Sequence, residues 1–188
     1  MRALLIGSAI AVCTLSGVAA YQHARSSIEV TGPEAPHDAV WREIAWPFPR
    51  DGWPAGRAFR CGADSCGDQI ELYVRPKIGF CNCDSGVADD DEVDRVADLD
   101  LISRRFTPLE AGEVVRMDGM SGRSRAYRLE MADGSAHAAV GFALSRRCDL
   151  LVAVAQGKRS AADVQRLARA FLDSNDIGRW MVAALNGR

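Results

Sequence analysis

Two cysteines stand one residue apart in the stretch GFCNC, which ends at Cys83. Residues i and i+2 of a strand point to the same side, so a strand here would present the thiols of Cys81 and Cys83 in one direction. Two thiolates suit a soft metal such as copper(I) or zinc, but they are too few for a closed tetrahedral site. Further ligands would have to come from Cys61, Cys66, Cys148 or a histidine. A copper- or zinc-handling protein, or a thiol redox protein, is therefore one functional hypothesis.

Disulfide bonding is the interpretation that the amino terminus favours. Residues 1–20, MRALLIGSAIAVCTLSGVAA, combine an early arginine, an apolar run and small residues at the end, which is the pattern of a secretory signal peptide. Export to an oxidising compartment allows thiols to pair. We expect Cys61 and Cys66 to bridge a hairpin turn. We also expect one cysteine of the neighbouring pair, with Cys83 as the candidate, to bond Cys148.

The fate of the amino terminus decides how many cysteines remain. Cleavage before Tyr21 would remove Cys13 and leave an odd number, so at least one thiol would stay free, bind metal or pair with another chain. An uncleaved segment would instead anchor the protein, since its apolar run is barely long enough to cross a bilayer. Residues 21–36 are predicted to form a flexible tether and residues 37–188 a single domain. We expect a periplasmic or secreted protein, anchored to the inner membrane only if residues 1–20 are retained.

Charge is distributed unevenly along the chain. Positions 84–100 hold eight acidic residues and one arginine, whereas positions 101–188 hold fourteen basic and nine acidic residues. Asp89, Asp91 and Glu92 do not follow the order of an EF-hand loop, so calcium binding is not predicted. A solvated helix with an acidic first turn explains the run. We expect the two charge excesses to neutralise each other within the fold; the alternative is a basic face for an acidic partner or for membrane headgroups.

The sequence lacks the motifs of several enzyme classes. It contains no G-x-S-x-G, S-x-x-K or H-E-x-x-H pattern and no phosphate-binding glycine loop. Of the three histidines, His23 and His37 fall in or beside the tether, and His137 falls on a predicted strand. A thiol–imidazole pair with His137 has no support in the spacing, so we expect a rim residue. No catalytic residue or cofactor is predicted for this leading interpretation. A nucleic-acid partner is not predicted either, because the net charge of −2 leaves no basic footprint.

Hydrophobic periodicity delimits the elements that carry these residues. Strands are predicted at residues 57–61, 69–75, 113–117, 123–131, 136–144 and 148–155, with a further short candidate in IGFCNC. The run LLVAVA is apolar on both faces, which predicts a central strand. Helices are predicted at residues 37–46 and 89–102, after Ser160 and after Asp176. The expected fold is α+β: a mainly antiparallel sheet of five to seven strands covered on one face by helices, two of them C-terminal.

An exported, disulfide-stabilised, non-enzymatic domain is the function that these observations favour. Such a domain would bind another periplasmic protein or assist assembly of a cell-envelope complex. The first candidate surface is the aromatic corner WPFPRDGWP, with Trp46 and Trp53, although packing onto the domain is the simpler role for these rings. The second is the arginine-rich hairpin with Arg123, Arg125 and Arg128.

Overall fold

The computed structural model describes residues 40–79 and 83–186. The predicted signal segment and tether, together with His37 and Cys81, lie outside the described residues. Within the described ranges, no helix combines the length and the apolar surface that crossing a bilayer requires.

The described residues form eight strands joined in one antiparallel sheet. The strands are β1 Trp41–Ile44, β2 Arg57–Cys61, β3 Ile70–Lys77, β4 Phe106–Pro108, β5 Glu113–Met117, β6 Met120–Glu130, β7 Ala136–Arg146 and β8 Asp149–Gly157. Their order is β1-β2-β3-β8-β7-β6-β4, and β5 also pairs with β6. The predicted α+β class is confirmed, with eight strands in place of five to seven.

Five helices lie in the described ranges of the chain. They are α1 Ala63–Cys66, α2 Asp90–Val96, α3 Leu99–Ile102, α4 Ala161–Leu172 and α5 Asn175–Asn186. The Asp89 carboxylate accepts from the Glu92 N–H at 2.9 Å, and the Ser160 hydroxyl accepts from the Asp163 N–H at 3.2 Å. Asp89 and Ser160 therefore cap α2 and α4, and each removes one unpaired donor from a helix end.

β8 lies at the centre of the sheet, as its unbroken apolar run predicted. Leu151 and Ala153 point into one hydrophobic core, which α4 and α5 cover with residues such as Leu167 and Met181. Val152 and Val154 point into a second core on the opposite face, which α2 and α3 cover. The expectation that helices cover only one face is therefore wrong. A strand that is apolar on both sides has to be shielded from water on both sides.

The helix expected at residues 37–46 is also wrong, because Trp41–Ile44 is an edge strand. It pairs antiparallel with β2, and Glu43 accepts two hydrogen bonds from Arg57 across the pair. The Trp41 ring stacks on Phe171 of α4 at a centroid distance of 4.9 Å. Four residues are too few for apolar spacing to distinguish a helix from a strand, so tertiary contacts decide.

The helix expected at residues 89–102 is interrupted. α2 ends before Ala97, whose backbone is extended, and α3 begins after Asp98. Asp98 is only 6% exposed, because its carboxylate turns inward to Arg75 and Lys77 on β3. A continuous helix would forgo these inward contacts.

The short strand expected in IGFCNC is not formed by its described residues. Ile78 and Gly79 form a turn that follows β3, and Cys83 lies in a turn of its own. β3 ends at Lys77, opposite Leu150 near the start of β8, so the ladder offers little further strand to pair with. The same-side argument for two cysteines on a strand therefore does not apply to Cys83.

Candidate binding surface

Both disulfides are made by cysteines that the sequence marked as candidates. Cys61 bonds Cys66 across α1, and both residues are buried. Cys83 bonds Cys148 across 65 positions of sequence; Cys83 is exposed and Cys148 is half-buried. In the chain-entropy model the long loop contributes about 4 kcal/mol to stability and the short loop about 2 kcal/mol. Two disulfides are consistent with an oxidising compartment.

The cysteine metal site of the alternative hypothesis would compete with one of these disulfides. The Cys83 sulfur is bonded to Cys148, so it is a thiolate ligand only after reduction. Cys81 lies outside the described residues. Among the residues with described positions, no group of three or more histidine, cysteine, aspartate or glutamate side chains is arranged to hold a metal ion.

The acidic helix α2 and the arginine-rich strand β6 pair with each other. Asp90 contacts Arg123 at 2.7 Å, and Asp94 contacts Arg125 at 2.7 Å. The Tyr127 hydroxyl also donates to Asp94 at 2.6 Å. The carboxylates are four residues apart on the helix and the arginines two apart on the strand, so each set shares a face. The predicted neutralisation of the two charge excesses therefore takes place in part at this contact.

Proton affinities at this contact reflect its geometry. The Gly112 N–H donates to Asp90 and, with Arg123, lowers the pKa of the Asp90 carboxyl despite the opposing effect of burial. Burial, followed by the hydrogen bond to Asp94, raises the pKa of the Tyr127 hydroxyl well above its ordinary value. The Asp90 carboxylate remains charged and the Tyr127 phenol remains neutral at physiological pH. Arg123 and Arg125 are thus committed to contacts inside the domain.

The aromatic corner packs onto β3. Trp46 lies edge-on to Phe48 and Tyr73, at centroid distances of 5.2 and 6.2 Å. The Trp53 ring lies 5.9 Å from the Lys77 ammonium. Trp46, Phe48 and Trp53 are all half-buried. The corner is therefore a satellite core, and a partner docking here would meet only the outer parts of its rings.

Beneath the corner lies an ion-pair cluster on the same face of β3. Arg75 donates to Asp98 at 2.6 and 2.7 Å and to Asp51 at 2.9 and 2.7 Å. Lys77 contacts Asp98 at 2.8 Å and donates to the Val96 carbonyl at 2.7 Å. Two cations thus face two carboxylates, so the buried charges balance. The cluster joins the corner, β3 and the α2–α3 junction, which indicates a structural role.

A second polar network crosses β2, β3, β8 and β7. The Glu71 carboxylate accepts from Arg60, from the Tyr73 hydroxyl and from the Gln156 amide nitrogen. Burial would raise the pKa of Glu71, but the hydrogen bonds from Tyr73 and Arg60 outweigh it, and the pKa lies below its ordinary value. Burial, then the bond to Glu71, raises the pKa of Tyr73.

His137 ends this network, and the network fixes its tautomer. A carboxylate only accepts, so Gln156 turns its NH2 group to Glu71 and its carbonyl oxygen to His137 Nδ1. Nδ1 must therefore donate, and in the neutral ring Nε2 carries the lone pair. His137 is half-buried at the rim of the sheet, as expected.

Two adjoining clefts lie where the α3–β4 connection meets the end of β6. One cleft has a volume of about 370 Å³ and is lined by residues 100–105, Glu130 and Ala132. The other has a volume of about 260 Å³ and is lined by Arg105, Thr107, Arg128, Glu130, Gly134 and Ala136. Arg105 and Glu130 line both clefts and form an ion pair of 3.1 Å between them. We call the surface formed by Arg104, Arg105, Thr107, Arg128 and Glu130 the arginine groove.

The wall of the groove is held by main-chain contacts. The buried Ser103 hydroxyl donates to the Glu130 carbonyl at 2.6 Å and accepts from the Arg105 N–H at 3.1 Å. The Glu130 N–H donates in turn to the Arg105 carbonyl at 2.9 Å. The arginine side chains therefore project from a fixed backbone, which is the arrangement that a binding surface requires.

The cations of the groove are only partly neutralised. Arg104 and Arg128 are exposed, and neither forms an ion pair with any residue in the described part of the chain. Arg105 shares Glu130 in a pair whose side chains are 65% and 54% exposed, so that pair is weak. The groove therefore presents guanidinium groups with donors that are free to bind a carboxylate or another oxyanion.

Of the three arginines predicted as partner contacts, only Arg128 lies in the groove. Arg123 and Arg125 point to α2, on the opposite face of β6 from Arg128, as the strand alternation requires. Arg104 and Arg105 were visible in the sequence as part of a basic excess and were not assigned to a site. The signal that could have indicated the groove is the Arg104-Arg105 pair, which directly precedes the short edge strand β4.

Comparisons with known proteins leave the function open. No protein-family model matches the sequence, and no curated protein matches it. The chain resembles the crystal structure of PA94, a protein of unknown function from Pseudomonas aeruginosa. That match covers 74% of this chain and 82% of the other, with 15% identity and a TM-score of 0.33. At this TM-score the likeness supports no functional argument, and the function is inferred from the contacts of this chain alone.

Proposed function

We propose that this protein is an exported, disulfide-stabilised, non-enzymatic domain that binds an acidic segment of another cell-envelope protein at the arginine groove. The observation that carries the proposal is the contrast within one strand. Arg123 and Arg125 are paired internally, whereas Arg128 is exposed, is unpaired among the described residues and lines one cleft, and Arg104 lines the adjoining cleft. Retaining unpaired cations at a concave, fixed surface suits recognition of a carboxylate-bearing partner.

Binding to defined peptides tests the proposal. We would measure fluorescence anisotropy of a labelled peptide of alternating glutamate and serine, with a glutamine-for-glutamate peptide as the uncharged control. We expect the acidic peptide to bind more tightly, with an affinity that falls as salt increases. Reversing Arg104→Glu and Arg128→Glu together should weaken binding about tenfold or more, since two attractive contacts become repulsive.

Arg42→Glu is the matched control variant. Arg42 is an exposed arginine on β1, at the opposite edge of the sheet. We expect this variant to bind the acidic peptide within about twofold of the unmodified protein. Equal binding of the glutamate and glutamine peptides would refute the proposal. Equal weakening by the Arg42 variant and the groove variant would refute the location.

The alternative proposal is a copper- or zinc-handling or thiol redox protein that uses Cys81 and Cys83. Its support is the C-x-C spacing of the sequence. Counting free thiols on the exported protein, followed by metal analysis, separates the two proposals. One thiol and no metal favours the binding domain, whereas three or more thiols with bound copper or zinc favour the alternative.

A further inference from the structure

The two disulfides differ sharply in their access to solvent. Cys61 and Cys66 are 0% and 2% exposed and belong to the hydrophobic core that α4 and α5 cover. Cys83 is exposed, and Cys148 is half-buried. Thiol–disulfide exchange requires an attacking thiolate to reach one of the two sulfur atoms. Reagents in solution can reach Cys83, whereas Cys61 and Cys66 become reachable only when the core opens.

The surroundings of the exposed disulfide remain connected without it. Cys148 lies in the β7–β8 turn, where Arg146 and Asp149 form the last strand pair. The Gly79 N–H donates to the Asp149 carboxylate at 2.6 Å. β8 is also paired with β7 along its whole length. Opening this disulfide removes about 4 kcal/mol of stability in the chain-entropy model, but neither cysteine belongs to either hydrophobic core, so we expect the sheet and both cores to persist.

We propose that the Cys83–Cys148 disulfide is a thiol-exchange site, whereas the Cys61–Cys66 disulfide is structural. An incoming thiolate attacks Cys83 Sγ and forms a new S–S bond to it. The Cys83–Cys148 bond breaks, and Cys148 leaves as a thiolate with the electron pair of that bond.

The co-reactant is a thiol, either a small molecule or a protein dithiol. With a small thiol the reaction stops at a mixed disulfide on Cys83 and a Cys148 thiolate that takes up a proton. With a dithiol, the second thiolate attacks the mixed disulfide, so the dithiol is oxidised to a disulfide and both cysteines are reduced. The inference is independent of the arginine groove, and either can fail without the other.

Timed alkylation tests the inference on the folded, exported protein. Reduced glutathione and, separately, dithiothreitol are added, samples are quenched with N-ethylmaleimide, and each cysteine is quantified by peptide mass spectrometry. A Cys81→Ser variant is run beside the unmodified protein, so that the label is assigned to the described pairs. We expect Cys148 to be labelled at least tenfold faster than Cys61 or Cys66, with a glutathione adduct on Cys83.

Glutathione, a monothiol, and dithiothreitol, a dithiol, should give different products. Glutathione should leave an adduct, whereas dithiothreitol should reduce both Cys83 and Cys148 without one. Circular dichroism recorded in parallel should show no loss of folded structure while this pair opens. Labelling of all four cysteines at one rate would overturn the inference. So would opening of Cys83–Cys148 that occurs only as the protein unfolds, and an adduct confined to Cys148 would overturn the assignment of the attacked sulfur.

Discussion

Replacing Asp98 with alanine should lower the free energy of unfolding by about 3–5 kcal/mol, the range for removing one partner of a buried ion pair. The Asp98 carboxylate accepts from Arg75 at 2.6 and 2.7 Å and contacts Lys77 at 2.8 Å. Each of these side chains is at most 9% exposed. Arg75 keeps Asp51 in the variant, so two buried cations are left with one carboxylate. Such a loss is a large part of a typical total stability of about 5–15 kcal/mol.

Urea unfolding followed by tryptophan fluorescence measures this effect. Asp100→Ala is the matched control, because Asp100 is exposed and lies two positions away; it should change stability by less than about 0.5 kcal/mol. Adding Lys77→Met to the Asp98 variant should recover part of the loss, since one uncompensated cation is removed. A loss below about 1 kcal/mol for Asp98→Ala, or no recovery in the double variant, would refute the account of the cluster.

Two further measurements address groups whose protonation the structure fixes. The hydrogen bonds from the buried guanidinium lower the pKa of Asp51 to about 2. The pair therefore stabilises the fold above about pH 4, and this contribution is lost as the pH falls toward about 2. In Asp51→Asn this part of the acid dependence, about 1 kcal/mol after solvent screening, should be missing from urea unfolding at low pH. Nitrogen-15 NMR should show that the neutral ring of His137 carries its proton on Nδ1. In Gln156→Leu, which removes the acceptor of that hydrogen bond, both tautomers should be populated. A wild-type ring protonated at Nε2 would contradict the network.

Much of the sheet could be predicted from alternation and turn residues. β5 has the bounds that the pattern predicted, and the apolar run of β8 forms the predicted central strand. The helix after Ser160 was equally readable, because the signal at its first turn is local. Local signals of this kind are decided within a few residues, which is why the sequence alone was sufficient.

Features that depend on distant residues were beyond the sequence pattern. β1 is a strand because β2 and Phe171 hold it, and the break before α3 exists because Asp98 binds a strand more than twenty positions earlier. The arginine groove requires the loop after α3 to meet the end of β6. Charge counting showed a basic excess but did not show which arginines form ion pairs within the domain.

In the contact between α2 and β6, one turn of helix spans nearly the same distance as two residues of strand. Four residues of helix rise about 6 Å and two residues of strand about 6.7 Å, so Asp90 and Asp94 meet Arg123 and Arg125 in step. A slip of one residue on either element would rotate both carboxylates or both guanidinium groups away at once. The two ion pairs therefore fix the position of α2 along β6. The chain between the helix and the strand does not have to set that position.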